Sequence, residues 1–248
     1  MNLNKKTAIV TGSNGPIGMA ISRELSAKGY DVLGIDIGEN NKCHQIEEYL
    51  SVDLEIFAED REHANEIIES ISMWLDHKSL NLLVNNAATQ ILQSIDTLTR
   101  ESWIRTQQIN LNAPLFLILD LLPFFSESEG SIINISSIHA HLTKQKFVSY
   151  STSKAALSAL TRALAIEFED RIRINAIEPA AIDTPMLRSG LNKDSFKKLE
   201  SFHPQKRIGT PEEIASLVYA ITQGELRFMH GSCIDFSGAI SSRLHDPE

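Results

Sequence analysis

The sequence predicts an α/β protein, in which a doubly wound parallel sheet of about seven strands carries helices on both faces. Short apolar runs rich in β-branched residues alternate with longer helix-like segments along most of the chain. The 248 residues, 42% hydrophobic and 22% charged, match one globular domain in size and composition. No internal repeat and no linker rich in Pro, Gly or Ser divides the chain. We therefore expect a single domain over residues 1–248.

The individual elements follow from this alternation. Continuously apolar strands joined by helices indicate a parallel sheet, because each crossover returns the chain across one face of the sheet. The predicted strands are Thr7–Val10, Val32–Ile35, Tyr49–Val52, Leu80–Val84, Ser131–Ile135, Ile172–Ile177 and Ser232–Phe236. The predicted helices are Ile17–Lys28, Ala58–Leu75, Trp103–Phe125, Ser151–Phe168 and Pro211–Thr222.

One stretch does not fit the alternation. Residues 185–206, and Leu187–Lys206 above all, are the least regular part of the sequence. A loop of that length in a compact domain is usually functional or disordered. We expect it to cover the substrate.

Charge and composition exclude several classes of function. The net charge of -9 argues against a nucleic-acid surface, which needs a clustered basic face. No apolar segment is long enough to span a membrane or has the form of a signal peptide, so we expect a cytoplasmic protein with no membrane partner. The two cysteines, Cys43 and Cys233, are expected to be free thiols.

A glycine-rich turn follows the first strand and precedes a helix. Its sequence is Thr11-Gly12-Ser13-Asn14-Gly15-Pro16-Ile17-Gly18. Glycine permits a tight turn and close approach of a pyrophosphate, and the helix start offers free N–H groups and a positive dipole end. The turn therefore predicts a dinucleotide site, although many strand-to-helix turns contain glycine for conformational reasons alone.

The second strand is followed by an acid in a position that is informative about the cofactor. Asp36 lies eighteen residues beyond Gly18. A carboxylate there can accept hydrogen bonds from both ribose hydroxyls of NAD, and its charge repels the additional phosphate of NADP. We therefore predict NAD as the preferred cofactor.

A proton-transfer pair is predicted at the start of the Ser151–Phe168 helix. Tyr150 and Lys154 are four residues apart and so project from one face. A tyrosine holds its proton up to about pH 10. We expect the lysine ammonium, together with a positive nicotinamide ring, to lower that pKa.

Three further polar positions support this pair. Ser137 follows the Ser131–Ile135 strand, at the edge of the sheet where ligands bind, and can hydrogen-bond a substrate oxygen. Asn85-Asn86-Ala87-Ala88 follows the fourth strand at the corresponding edge. Asn110 lies in an otherwise apolar helical stretch, where an amide is costly unless it is bonded.

Together these residues resemble the short-chain dehydrogenase/reductase family, in its short single-domain branch. The resemblance runs nearly end to end and implies a Rossmann-type sheet with hydride transfer at nicotinamide. It covers Thr11–Gly18, Asp53-Leu54, Asn85–Ala88, Asn110, Ser136-Ser137, Tyr150–Lys154, Asn175–Met186, Arg207–Glu213 and Gly231–Gly238.

The resemblance also implies roles for individual residues. Tyr150 would be the acid/base, Lys154 would modulate its pKa and bind ribose, and Ser137 would bind the substrate oxygen. Asn110 would anchor a water relay to Lys154. The cofactor would be bound by the turn residues Gly12, Ser13, Asn14, Gly15, Ile17 and Gly18, by Asp36, by Asp53 and Leu54 near adenine, by Asn85 and Ala87, by Tyr150 and Lys154, and by Pro179, Ile182 and Thr184 at the nicotinamide end. The family further implies a homotetramer or homodimer, with the Trp103–Phe125 and Ser151–Phe168 helices at the interface.

The first turn departs from the short branch. Pro16 occupies the usual position of the middle glycine, and Gly12, Gly15 and Gly18 have the spacing of the longer, nucleotide-sugar branch. Proline has no N–H, so we expect one phosphate contact to be lost or shifted to Asn14 or Gly15.

The sequence does not identify the substrate. Gln90, His139, His141 and Met186 are expected to line its cavity, and their polarity suggests a hydroxylated or anionic molecule. No metal site is predicted, because the two histidines have no third ligand. The leading hypothesis is an NAD-dependent oxidoreductase that interconverts an alcohol and a carbonyl. A nucleotide-sugar epimerase or dehydratase with bound NAD, and a non-catalytic dinucleotide-sensing protein, remain alternatives.

Overall fold

The computed structural model describes residues 5–46, 48–126, 129–189 and 192–243. Seven parallel strands form one sheet in the order β3-β2-β1-β4-β5-β6-β7. The order reverses between β1 and β4, and ligands of such sheets bind at this switch, beyond the carboxyl ends of the strands. The predicted doubly wound, single-domain fold is confirmed.

The strands occur where the apolar runs predict them, with bounds that differ by one or two residues. They are β1 (Thr7–Thr11), β2 (Asp31–Asp36), β3 (Glu48–Ser51), β4 (Leu82–Asn85), β5 (Gly130–Ile135), β6 (Ile172–Pro179) and β7 (Cys233–Phe236). The helices are α1 (Pro16–Ala27), α2 (Leu54–Glu59), α3 (Arg61–Leu75), α4 (Arg100–Gln107), α5 (Ala113–Leu121), α6 (Val148–Phe168), α7 (Pro185–Ser189), α8 (Lys193–Phe202) and α9 (Pro211–Thr222).

Two apolar cores lie on opposite faces of the sheet. One joins the sheet to the α2–α6 side through residues such as Phe57, Leu117 and Phe168. The other joins it to α1 and α9 through residues such as Ile21, Leu25 and Val218. None of the helices in the four described ranges combines the length and the apolar character needed to cross a membrane.

Three predicted elements need correction. The segment Ala58–Leu75 forms two helices rather than one, because the Asp60 carboxylate accepts hydrogen bonds from the Glu62 and His63 amides and starts α3. The segment Trp103–Phe125 is interrupted by a π-helical turn at Gln108–Asn112. The predicted irregular segment 185–206 contains α7 and α8, while its residues 190 and 191 lie outside the described ranges.

Candidate active site

The turn after β1 is built around two glycines that no larger residue can replace. Gly12 has a φ of +67°, and a Cβ there would lie 2.9 Å from Ala87 Cα. A Cβ on Gly18 would lie 2.1 Å from Gly12 O, closer than any real contact. Gly15 is less constrained, since its φ is -77° and its Cβ would meet only Gly12 O at 3.3 Å. Gly12 and Gly18 therefore bring the start of α1 against the ends of β1 and β4.

Some hydrogen-bond donors of the turn have partners within the protein, and others do not. The Asn14 amide donates to Asp36 Oδ2 at 2.8 Å, and the Gly15 amide donates to Gly12 O at 3.1 Å. Both amides therefore already have partners within the protein, and the predicted shift of a phosphate contact to them stays a prediction. Ile17 and Gly18 lie in the first turn of α1, where amides have no intrahelical partner. The buried Ser13 hydroxyl has no hydrogen-bond partner among the described residues.

Asp36 ends β2 beside this turn. Besides the Asn14 amide, its carboxylate accepts the Ile37 amide at 2.8 Å through Oδ1. The Asn14 side chain links the turn to the segment after β2, because its Nδ2 donates to Asn40 O and its Oδ1 accepts the Lys42 amide. The acid predicted to select the cofactor is thus held rigidly at the edge of the turn.

Asp53 and Leu54 form the start of α2. The Asp53 carboxylate accepts the Glu55 amide at 2.9 Å and caps the helix, and Leu54 is buried as its first residue. This capping role accounts for the acid at position 53 without a ligand. The predicted contact with adenine stays a prediction.

The end of β4 is hydrogen-bonded to β1 and β5. Asn85 Nδ2 donates to Asn134 Oδ1 at 2.9 Å, and Asn85 Oδ1 is buried without a partner in the described part of the chain. The Ala87 amide donates to Thr11 Oγ1 at 3.0 Å. Both predicted cofactor-lining residues therefore border the switch point next to Gly12.

Asn110 lies within the π-helical turn, a local irregularity that is frequent at functional sites. Its side-chain Oδ1 accepts the Thr89 amide at 2.8 Å. Its Nδ2 donates to Thr89 O at 2.9 Å and to Ser153 Oγ at 3.0 Å. Ser153 Oγ in turn donates to Tyr150 O. The side chain thus ties the segment after β4 to α6, which resolves the cost of burying an amide. Its predicted role in a water relay stays a prediction.

Tyr150, Ser137 and Lys154 come together at the carboxyl end of β5. Tyr150 is the third residue of α6, and its phenol is close enough to the Ser137 side chain for that hydroxyl to lower the pKa of the phenol. Lys154 Nζ lies 5.8 Å from the centre of the Tyr150 ring. The ring and the amine therefore share one environment, as the spacing of four residues predicts.

The two pKa values show how strongly burial acts here. Burial raises the pKa of the Tyr150 phenol above 10, and the hydrogen bond with Ser137 opposes this. Taken together, the protein's own groups therefore do not lower the pKa of Tyr150, as the sequence analysis expected the lysine to do together with nicotinamide. Burial lowers the pKa of Lys154 from 10.5 to about 8. The Lys154 ammonium donates to Ile135 O at 2.7 Å, which fixes it at the end of β5.

The predicted substrate-lining residues differ in their proximity to this centre. His139 stacks on Phe147 with ring centres 4.4 Å apart and meets the Tyr150 ring edge-on at 5.9 Å. Burial lowers the pKa of His139, and the charge of Lys144 lowers it further. His141 is bonded to Glu178 at 3.1 Å, and Gln90 is exposed after β4. Met186 belongs to α7, but its side chain lies outside what the structure describes.

The segment after β6 closes the other side of the site. Pro179 ends β6, and its carbonyl accepts Ser137 Oγ at 3.4 Å. Ile182 is buried and pairs with Gly209, and Thr184 accepts the Leu187 amide and so begins α7. Of the three residues predicted at the nicotinamide end, Pro179 therefore contacts Ser137 directly, while the contacts of Ile182 and Thr184 are with Gly209 and with the start of α7.

The comparisons with known proteins agree with this geometry. A family model described as enoyl-(acyl carrier protein) reductase matches residues 12–238. The chain belongs to the short-chain dehydrogenase/reductase family of oxidoreductases.

Relatives of this short-chain dehydrogenase/reductase extend over its whole length. It is 31% identical to human dehydrogenase/reductase SDR family member 4, over 98% of this chain and 90% of the relative. It is 27% identical to the NAD-dependent glycerol dehydrogenase of Listeria innocua, over 96% and 94%. The ligand-free aldohexose dehydrogenase of Thermoplasma acidophilum superimposes with a TM-score of 0.86 at 28% identity, covering 100% of this chain and 99% of that one.

Some residues of this dehydrogenase/reductase site had no role in the sequence analysis. Asn86 Nδ2 donates to Thr11 O and Gly12 O and thereby holds the turn. Glu178 is buried at the end of β6 with two partners. The only signal for Glu178 was an acid in an apolar strand just before a proline. Among the described residues, no three His, Cys, Asp or Glu side chains are grouped as metal ligands.

Proposed function

We propose that this protein is an NAD-dependent oxidoreductase that interconverts an alcohol and a carbonyl, with Tyr150 as the acid/base. The observation that carries the proposal is the cluster formed by the Tyr150 phenol, the Ser137 hydroxyl and the Lys154 ammonium. A phenol, a second hydroxyl and a cation can together transfer one proton to or from a substrate oxygen.

Each member of the cluster has a distinct task. Ser137 and Tyr150 donate hydrogen bonds to the substrate oxygen, and the Tyr150 phenol gives up or takes the proton. The Lys154 ammonium stabilises the phenolate that carbonyl reduction leaves behind. Bound NAD, in its oxidised or reduced form, would accept or supply the hydride.

The turn after β1 fits a dinucleotide. The first amides of α1 offer donors to phosphate oxygens, and the tight turn that Gly12 and Gly18 allow holds these amides at the carboxyl ends of β1 and β4. We propose NAD rather than NADP because Asp36 stands at the end of β2, where its charge opposes an added phosphate. The NAD dependence of the Listeria relative supports this choice.

The substrate is proposed to be a small hydroxylated molecule. His139 and Ser137 place polar groups around Tyr150, and the glycerol and aldohexose dehydrogenases are relatives that act on such compounds. We propose that helices α7 and α8 of segment 185–206 cover this substrate.

The test is a panel of matched polyols, simple alcohols and their carbonyls, scored by NADH absorbance with purified protein. We expect turnover of at least one hydroxylated compound with NAD. Tyr150→Phe should lose turnover about 10²- to 10⁴-fold, the typical contribution of a positioned proton-transfer group, while NADH affinity changes less than about twofold. Near-normal turnover by Tyr150→Phe would refute the mechanism.

The two alternatives give different results in the same assay. An epimerase or dehydratase, suggested by the Gly12, Gly15 and Gly18 spacing, would convert substrate without net formation of free NADH. Gly15 is less constrained than Gly12 and Gly18, which weakens that argument, because its φ is not in the left-handed region and its Cβ would meet Gly12 O at 3.3 Å. A sensing protein would bind NADH and turn over no compound. The cluster of Tyr150, Ser137 and Lys154 would then have no catalytic role.

We also propose that the protein is a cytoplasmic homotetramer or homodimer. The helices α4, α5 and α6 expose large apolar side chains, among them Ile104, Leu119 and Ile166. Contiguous exposed apolar patches mark interfaces, and we propose that these side chains form one. Sedimentation of the protein as a monomer at micromolar concentration would contradict this assembly.

A further inference from the structure

Glu178 is a buried carboxylate that the proposed proton transfer does not use. It is the next-to-last residue of β6, and its side chain is only 4% exposed. Its two oxygens have separate partners: Oε1 accepts Ser158 Oγ at 2.7 Å, and Oε2 lies 3.1 Å from His141 Nε2. A carboxylate is costly to bury unless it is bonded, so a position that served packing alone would favour an apolar residue.

The first oxygen connects Glu178 to the catalytic elements. With Ser158 donating its single proton to Glu178, Ser136 Oγ donates its single proton either to Ser158 Oγ at 2.8 Å or to Lys154 O at 3.0 Å. Ser136 immediately precedes Ser137, and its amide donates to Ile177 O. These contacts bring the ends of β5 and β6 against the turn of α6 that carries Lys154.

The second oxygen connects Glu178 to the loop of residues 138–146, which we call the substrate loop. His141 lies in this loop with a side chain that is 59% exposed, and residues 141–146 are exposed to solvent. The loop begins at Ser137, whose hydroxyl accepts the His139 amide at 3.2 Å, and carries His139 against the Tyr150 ring. The bond between His141 and Glu178 therefore attaches an exposed loop to the interior of the sheet.

The groups around Glu178 indicate a charged site. The Cys233 thiol of β7 lies nearby, and burial raises its pKa while the negative charge of Glu178 raises it further. Arg162 of α6 donates to Cys233 Sγ at 3.3 Å, and Asp235 is the neighbour of Glu178 in the β6–β7 register. Among the described residues, the His141 imidazole is the basic group in direct contact with the Glu178 carboxylate.

We propose that Glu178 is a positioning residue for the reaction described above. Its carboxylate holds the substrate loop through His141 and keeps Ser137 and Lys154 aligned through Ser158 and Ser136. The proposal depends on the proposed function only for its kinetic consequence, because the attachment of the loop can be measured without a substrate.

The first experiment measures amide hydrogen exchange of residues 138–146 in the full-length protein. His141→Ala and Glu178→Ala should each speed exchange about tenfold, and Glu178→Gln should speed it less, because a neutral bond replaces a charge-assisted one. Lys78→Gln is the matched control, since it breaks the 2.9 Å ion pair with Asp31 at the opposite end of the sheet. Unchanged exchange in His141→Ala, or an equal rise in Lys78→Gln, would overturn the attachment. His141→Ala decides the point even if Glu178→Ala fails to fold.

The second experiment separates positioning from general stability. With the best alcohol of the panel, His141→Ala should raise KM about tenfold and leave kcat within about twofold, whereas Glu178→Gln should also lower kcat, because it disturbs Ser158 and Ser136. The double variant should fall short of the sum of the two single effects, because Glu178→Gln has already weakened the bond that His141→Ala removes. Fully additive effects, or equal kinetics of all variants, would refute the positioning role. If no compound is turned over, the proposed function fails while the exchange result stands.

Discussion

Lys154 is a buried cation whose removal should stabilise the protein while abolishing its activity. The side chain is 2% exposed, and burial lowers its pKa from 10.5 to about 8. The folded protein therefore holds the Lys154 ammonium less favourably than the unfolded chain does. Lys154→Met removes the charge and keeps a side chain of similar length.

The size of the effect follows from the pKa values. A difference of about 2.5 pKa units corresponds to roughly 3 kcal/mol of destabilisation when the ammonium is charged. Against this, the variant loses the hydrogen bond to Ile135 O, and leaving that carbonyl unpaired costs about 1–2 kcal/mol. We expect a net gain of about 1–2 kcal/mol at pH 7, or several degrees in Tm for a chain of this size.

The pH dependence of the gain in stability distinguishes the removal of a buried charge from an improvement in packing. Because the folded pKa of Lys154 lies below the unfolded one, the unfolded chain binds more protons between pH 8 and pH 10.5, and the stability of the wild type rises over that window. Lys154→Met lacks this rise, so its advantage should be largest below pH 8 and should disappear towards pH 10.5.

Urea unfolding of cofactor-free protein at pH 7, 8.5 and 10, at one protein concentration, measures the advantage. Lys154→Arg, which keeps a charge at every pH of the series, is the control: it also lacks the rise, so its stability relative to the wild type should fall in parallel with that of Lys154→Met and lie below it throughout. A Lys154→Met variant that is less stable than the wild type at pH 7, or whose advantage is independent of pH, would refute the argument from burial. Turnover should be lost in this variant at every pH.

Two further predictions concern the cofactor site. Asp36→Ala should weaken NAD binding about tenfold and strengthen NADP binding, because the variant loses both an acceptor for the ribose hydroxyls and a repelling charge; titration showing that the wild type prefers NADP would contradict it. Gly18→Ala should abolish cofactor binding or folding, because its Cβ would lie 2.1 Å from Gly12 O. Gly224→Ala is its control, since no atom lies within 4 Å of a Cβ there, and equal NADH affinity and Tm of the two variants would show that the turn is not constrained as described.

The strands were predictable because buried parallel strands need continuous apolar runs, and these are rare elsewhere in the chain. The helix bounds were less predictable where a side chain decides them. Asp60 interrupts a periodic segment by capping α3, and Asn192 starts α8 by accepting the Ser195 amide. Helix α8 buries no residue, although Phe196, Leu199 and Phe202 recur at helical spacing, a pattern that the prediction of an irregular segment did not take into account.

Sequence spacing was enough to predict which side chains of the candidate site lie close together. It was not enough to predict how burial changes their pKa values and hydrogen bonds. Tyr150 and Lys154 lie on one helical face, and Ser137 lies at the end of the adjacent strand, so the sequence predicts their meeting. The direction of the Tyr150 pKa and the bonds of Glu178 depend on what surrounds each group after folding. Pairing of β6 with β7 and packing of α6 create those surroundings, and single-sequence patterns do not contain them.

The raised pKa of Tyr150 affects whether the protein's own residues favour carbonyl reduction or alcohol oxidation. With the phenol protonated at neutral pH, the Tyr150–Ser137 pair is a proton donor, as carbonyl reduction requires. Alcohol oxidation requires the phenolate, which the Lys154 ammonium and the positive charge of oxidised nicotinamide would stabilise together. Oxidation should therefore accelerate with pH until the phenol is ionised, whereas reduction should slow as the donor is lost. The Lys154 pKa of about 8 places the loss of the ammonium within the same range, so the rise in oxidation should be limited on its alkaline side.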